Sequence, residues 1–347
     1  MAENTITPPR NNPFCYGHEA VEQDLLNALR AGRMPHTLLF EGPKGIGKAT
    51  FAYRFARFIL TQYPQSYLEA RSFEICPETP SFKRISSGGH ADLYVVEPGR
   101  NKDGQKNKYI QVDEIRKAIA FSRKTPGEGG WRVIIVDSAD DLNKNSANAL
   151  LKLMEEPPTF STLILLSSNR GKLPVTMTSR CQRYSFGPLS EENLNKIISH
   201  YPNLAFSEDV RYLASGSAGK AANIAFKNSV TVYRGMLTFV CLNLSHQGEK
   251  AIYGLQSVLD NNPENFEIFC EYFYEFIGKY IKFKMGAQPA TFLNEGDVFE
   301  KMNHALVGEW VDIWHKSVAF LQEAKIYNLD WRTTLTAIVN IFEKRIN

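Results

Sequence analysis

Apolar residues recur in two rhythms along this chain, and the rhythms divide it. Val21, Leu25, Leu26 and Leu29 are spaced as one face of a helix, entered from Phe14-Cys15-Tyr16-Gly17-His18. Thr37 to Phe40 reads as a strand. Phe51 to Leu60 reads as a helix, with Phe51, Ala52, Phe55, Ala56 and Ile59 on a core-packing face. Tyr63 to Gly89 reads as irregular, and His90 to Pro98 as a second strand closed by proline. A helix over Val112 to Phe121 buries Ile115, Ala118 and Ile119. Trp131 to Asp137 is the clearest strand, and its unbroken apolar run predicts burial on both faces, hence a parallel sheet with helices on each side. Asn143 to Glu156 is a helix with Ala147, Leu150, Leu151 and Met154 on one stripe, stopped by Pro157-Pro158. Thr162 to Asn169 is the next buried strand, Leu173 to Cys181 a short helix, and Gln182 to Phe186 a fifth strand.

After Leu189 the strand rhythm stops. Residues 191–226 read as a small helical bundle, interrupted by a turn at Gly216-Ser217-Ala218-Gly219-Lys220. Residues 230–347 read as helical throughout, with Gly286 to Asp297 expected as a mobile loop. Phe266, Phe269, Tyr272, Phe273, Phe276, Ile277 and Tyr280 stripe one helix, which fits a core or a subunit interface better than a platform for stacking bases. The fold class is α/β plus all-α. The expected divisions are a disordered stretch over 1–13, an α/β domain over 14–188, a helical lid over 189–229 and a helical domain over 230–347.

Composition adds limits. The chain has 347 residues, 43% hydrophobic and 22% charged, as in ordinary globular proteins. A net charge of +3 does not by itself announce nucleic-acid binding. None of the five cysteines, Cys15, Cys76, Cys181, Cys241 and Cys270, forms a Cys-x-x-Cys pair. Their scatter fits a reducing cytosol. The polar N-terminus does not read as a signal peptide, and no run of 18 apolar residues suggests a membrane span, so the expected location is cytoplasmic.

The candidate chemistry begins at Gly42-Pro43-Lys44-Gly45-Ile46-Gly47-Lys48-Ala49-Thr50, between a strand and a helix. Gly-x-x-x-x-Gly-Lys in that setting reads as a phosphate-binding loop. Gly42, Gly45 and Gly47 would let backbone N–H groups curl around phosphate oxygens, and the helix N-terminus would face the anion. Lys48 would reach the terminal phosphates. The position whose hydroxyl normally holds Mg²⁺ is Ala49, and Thr50 comes one residue late, about 100° further round the helix. Asp137 ends the clearest strand, where open α/β sheets place ligands, and could position Mg²⁺. The residue after it, where hydrolysing phosphate-loop proteins usually carry Glu, is Ser138, and Asp140 would have to double back to reach the site. Asn169 could read a γ-phosphate or cap the following turn. Lys102, Lys106 and Lys108 lie in a polar, basic loop that is either solvated or in contact with phosphate.

The combination of this loop with His90-Ala91-Asp92-Leu93, Val112-Asp113-Glu114-Ile115-Arg116 and Trp131 to Asp137 resembles the AAA+ clamp-loader proteins. Asn148 to Pro158, followed by Thr178-Ser179-Arg180-Cys181, is similar to the delta-prime branch of bacterial DNA polymerase III. The close resemblance covers roughly 14–187. It implies a P-loop AAA+ domain, a lid and a C-terminal collar in a five-membered ring with gamma/tau and delta subunits. Such a ring opens the sliding clamp and closes it on primed DNA, contacting backbone phosphates. In that family the Ser-Arg-Cys motif gives an arginine finger to ATP on the neighbouring subunit, and Arg180 matches it; the plainer role for Arg180 is a surface salt bridge. Cys181 would then be a packing residue. Lys220 stands where many relatives have a lid arginine facing the γ-phosphate. Many relatives carry a four-cysteine zinc module; here that region holds only Cys76, so no zinc is expected. ATP with Mg²⁺ is expected, at most, as a held and unhydrolysed ligand. The competing readings are an active gamma/tau-type ATPase and an unrelated phosphate-loop kinase or transferase.

Overall fold

The computed structural model describes residues 6–61, 67–99, 107, 109–128, 130–169, 171–202, 204, 206–227, 229–260, 262–289, 295–302, 306–326 and 329–346. The chain divides into two compact units, Met1–Leu204 with Ala214–Lys220, and Ala205–Leu213 with Ala221–Asn347. Residues 189–204 and 214–220 fall in the first unit, and 205–213 and 221–229 in the second.

The first unit alternates helices and strands: α1 (Glu19–Arg30), β1 (Thr37–Glu41), α2 (Lys48–Thr61), α3 (Pro80–Ser86), β2 (Leu93–Val96), α4 (Val112–Ser122), β3 (Arg132–Val136), α5 (Lys144–Glu155), β4 (Ser161–Ser167), α6 (Val175–Thr178), β5 (Gln182–Ser185) and α7 (Glu191–Ser199). The strands form one parallel sheet in the order β2-β3-β4-β1-β5. Strand side chains alternate between the two faces, so each central strand feeds two cores. Leu38 and Phe40, Val133 and Ile135, and Ile164 and Leu166 join one cluster with α1 and α2. Leu39, Ile134 and Val136, and Leu163 and Leu165 join the other with α4, α5 and α6. That double burial is why these strands read as unbroken apolar runs.

Three expectations change. The region 63–89 is not wholly irregular, because Pro80 at the first helical turn and the Thr79 hydroxyl, accepting from Phe82 N–H at 3.4 Å, start α3. The strand expected from His90 begins only at Leu93. Asp92 is buried and instead accepts from the N–H groups of Gly127 (2.8 Å) and Glu128 (3.0 Å) and pairs with Arg132 at 3.3 Å. Residues 6–13 are not a loose tail. The buried Arg57 guanidinium donates to the carbonyls of Asn12 (2.9 Å), Pro9 (3.2 Å) and Arg10 (3.0 Å), which stitches that segment onto α2. Lys102, Lys106 and Lys108 lie outside the described residues.

Beyond α8 (Glu208–Ala214) and α9 (Ala218–Phe226), the second unit consists of α10 (Ser229–Leu244), α11 (Gly248–Leu259), α12 (Pro263–Lys284), α13 (Glu295–Lys301), α14 (Val307–Ile326) and α15 (Trp331–Ile346). The aromatic stripe of α12 is core: Phe269, Tyr272, Phe273, Phe276, Ile277 and Tyr280 are all buried. Their rings meet Phe239, Tyr233, Phe299 and Trp310 at 5–6 Å, the separation of favourable aromatic pairs. Of the loop expected over Gly286 to Asp297, residues 290–294 lie outside the described residues and 295–297 already belong to α13. Glu295 is fully buried, and Tyr212, Tyr233 and Lys279 all bond to its carboxylate.

Candidate functional site

The loop between β1 and α2 has the backbone that its glycines allow. Gly42 sits at φ 155°, where a Cβ would lie 2.1 Å from the Phe186 carbonyl oxygen, and Gly45 at φ 80°, where a Cβ would lie 2.6 Å from Ser217 Oγ. At Gly42 the clash is with backbone and excludes a side chain; at Gly45 the Ser217 hydroxyl would have to give way. Lys48 opens α2 and is buried. Its ammonium donates to the carbonyls of Gly42 and Pro43, both at 2.7 Å, and to Ser168 Oγ at 3.3 Å. An ammonium has three protons, so every one is committed within the chain. Burial pulls the Lys48 pKa down to about 8, with the carboxylates of Asp140 and Asp137 opposing that fall.

Asp140, which had to double back to reach the site, does so. The reversal is a tight 3-10 turn, Ala139–Asp141, capped by the Ser138 hydroxyl, which accepts from Asp140 N–H at 3.2 Å. Asp140 then accepts from Ser167 Oγ (2.7 Å) and Ser168 N–H (2.6 Å) at the end of β4. Asp137 is half-buried, and its N–H donates to the Val96 carbonyl. Asn169 takes the capping role, its Oδ1 accepting from Gly171 N–H at 3.0 Å. Thr50 is half-buried in the first turn of α2, and Ala49 packs its methyl against the core.

The rest of the loop is held by residues that sequence reading missed. Ser217 Oγ donates to the Lys44 carbonyl at 3.0 Å, and Gly219 N–H donates to the Gly45 carbonyl at 2.8 Å. His18 Nε2 bonds the Ile46 carbonyl at 2.8 Å. A carbonyl can only accept, so that nitrogen carries the proton; burial lowers the His18 pKa and favours this neutral form. Each carbonyl from Gly42 to Ile46 therefore has a donor. Ser217 precedes a helix, which is a cap signal, but nothing in His18 or Ser217 announced which carbonyl it would reach. Lys220 comes to the loop through its backbone N–H, which donates to Ser217 Oγ at 3.1 Å. Just before the loop, the buried Glu41 is gripped by the Arg183 guanidinium at 2.9 and 3.1 Å.

Arg180 lies apart from this cluster, after α6. It pairs with Glu155 at 2.9 Å and donates to the Thr176 carbonyl at 2.8 Å, with the two charged side chains 40% and 50% exposed. Cys181 packs partly buried below it, against the cluster of α5 and α6.

The loop, its lysine and the start of α2 form the positive end of the cluster, and an arriving phosphate oxygen would have to displace one of the Lys48 bonds. A magnesium ion would find the carboxylates of Asp137 and Asp140 but no hydroxyl at position 49. Among the described residues, no group of three or more His, Cys, Asp or Glu is placed to hold a metal ion, and no helix is long and apolar enough to cross a membrane.

Strand, glycine loop, lysine and helix, set in a parallel sheet, define a phosphate-loop α/β protein. A family model described as DNA polymerase III, delta subunit matches residues 17–190, half of the chain, and the chain belongs to that family. The DNA polymerase III subunit delta' of Pseudomonas aeruginosa is 35% identical over 146 residues, 42% of this chain and 41% of that protein. The DNA polymerase III subunit tau of Bacillus subtilis is 31% identical over 186 residues, 52% of this chain and 31% of that protein. The matched stretch is thus less than half the length of either relative. The crystal structure of a DNA polymerase III gamma subunit-related protein from Thermotoga maritima aligns with 93% of this chain and 100% of its own, at 16% identity and a TM-score of 0.43.

Proposed function

We propose that this chain is a delta-prime-like subunit of the bacterial replicative clamp loader, working in the cytoplasm within the DNA polymerase III holoenzyme. In this reading it sits in a ring with gamma/tau and delta subunits, helps that ring load the sliding clamp on primed DNA, and does not hydrolyse ATP itself. What carries it is the chemistry missing at two positions: Ala49 has no hydroxyl for Mg²⁺, and Ser138, where a hydrolase places its glutamate, is a turn cap. The catalytic contribution is then Arg180, offered to ATP on the neighbouring subunit. A guanidinium is permanently charged and fork-shaped, suited to a γ-phosphate. Such a finger raises the rate by about 10³ to 10⁵.

The match to a tau subunit favours a second reading, an active ATPase of the gamma/tau type. ATP turnover of the isolated chain, with clamp and primed DNA present, separates the two. Turnover at background level, unchanged by Lys48→Ala, is expected. Steady hydrolysis abolished by Lys48→Ala would sink the first reading.

A further inference from the structure

We infer that Glu155 is a positioning residue for Arg180, setting its guanidinium before the neighbouring nucleotide arrives. The inference rests on Arg180 serving that nucleotide. Glu155 is the last residue of α5, at the negative end of the helix dipole, where a carboxylate is locally disfavoured and a cation favoured. Nothing in helix formation asks for an acid there. Its carboxylate meets Arg180 Nη2 at 2.9 Å, and Arg180 Nη1 donates to Thr176 O at 2.8 Å.

One guanidinium N–H is bonded to a carbonyl, and the Glu155 carboxylate holds the other terminal nitrogen as an ion pair. Together they hold the fork from two sides and leave its other donors for a ligand. The backbones beneath are already fixed. Met154, next to Glu155, and Met177, in α6, are buried in one apolar cluster, and Cys181 Sγ bonds the Met177 carbonyl at 3.2 Å. What a free arginine would lose on meeting a phosphate is side-chain freedom, and the pair removes that freedom beforehand. An ion pair this exposed adds little to stability, so its effect should appear in turnover, not in folding.

The test uses the complete reconstituted loader with clamp and primed DNA, carrying Glu155→Gln, Arg180→Ala or both. Ring assembly is checked by gel filtration and the subunit by its melting temperature. Arg180→Ala should abolish most of the DNA-stimulated ATPase. Glu155→Gln should lower kcat by about tenfold, short of the roughly 100-fold that a 1 Å misplacement can cost, with KM for ATP unchanged. Added to Arg180→Ala, it should change nothing further. If Arg180→Ala slows the ring and Glu155→Gln does not, the positioning role is wrong and the finger reading stands. A faster Glu155→Gln enzyme, or an equal loss in the Arg180→Ala background, also overturns it. Full activity with Arg180→Ala removes both readings.

Discussion

The hydroxyl of Ser217 donates to the carbonyl of Lys44 at 3.0 Å and lies 2.6 Å from the point a Cβ on Gly45 would occupy. Residues 173 positions apart therefore share one small volume at the tip of the phosphate loop. The same hydroxyl accepts from Lys220 N–H at 3.1 Å, so one atom caps α9 and ties it to the loop.

Replacing Gly45 should accordingly cost more than its backbone strain. The left-handed conformation alone costs a side chain about 1–2 kcal/mol, and the new methyl also meets Ser217. Gly45→Ala is expected to lower the urea midpoint more than Ser217→Ala, which loses a cap of about 1 kcal/mol. The double variant should lose less than the sum, because removing the hydroxyl relieves the clash. A strictly additive pair would contradict this.

Lys48 makes stability depend on pH in a defined window. Its folded pKa of about 8 lies below its ordinary 10.5. Between those values the unfolded chain holds a proton that the folded chain has released, so stability rises with pH through the window. Below pH 8 both states are protonated and the burial cost is fully present. The total is about 3 kcal/mol. Wild type should gain up to that amount relative to Lys48→Met between pH 7 and 11, read from urea unfolding; parallel curves would contradict it.

Asp140 should move that window. Its charge raises the Lys48 pKa, so Asp140→Asn is expected to shift the start of the rise below pH 8. Asp140→Ala should in addition destabilise by about 1 kcal/mol, because the Ser167 hydroxyl loses its 2.7 Å acceptor and falls back on the Asn169 carbonyl at 3.3 Å. Calorimetric melting across pH 6 to 10 checks both effects.

Glu295 in the helical unit carries the largest expected single-site loss. It is wholly buried, with Lys279, Tyr212 and Tyr233 on its carboxylate. Glu295→Ala would leave the Lys279 charge without that partner, at a cost of about 3–5 kcal/mol. Tyr233→Phe should cost about 1.5–3 kcal/mol, the worth of a hydrogen bond to a charged group. Thermal melting of the two variants would reveal the difference; near-equal losses would argue against a charged cluster.

The layered core is legible in the order of residues alone. Strand residues such as Val133 to Val136 and the helical stripe of Leu150 and Met154 have periods set by local geometry, and burial follows from the period. The glycine loop and its lysine are equally legible, because the backbone conformations there need particular residue types. Local chemistry marked the start of α3 less visibly, through a threonine and a proline inside a polar stretch. Where each polar atom finds its partner is set by the assembled fold. Nothing along the chain says that Ser217 meets Lys44, that Arg57 holds the segment around Arg10, that Asp140 turns back to Ser168, or that Glu155 pairs with Arg180. A hydrogen bond depends on distance and direction within a few tenths of an ångström. Residues far apart in sequence reach that geometry only once the cores have placed their elements.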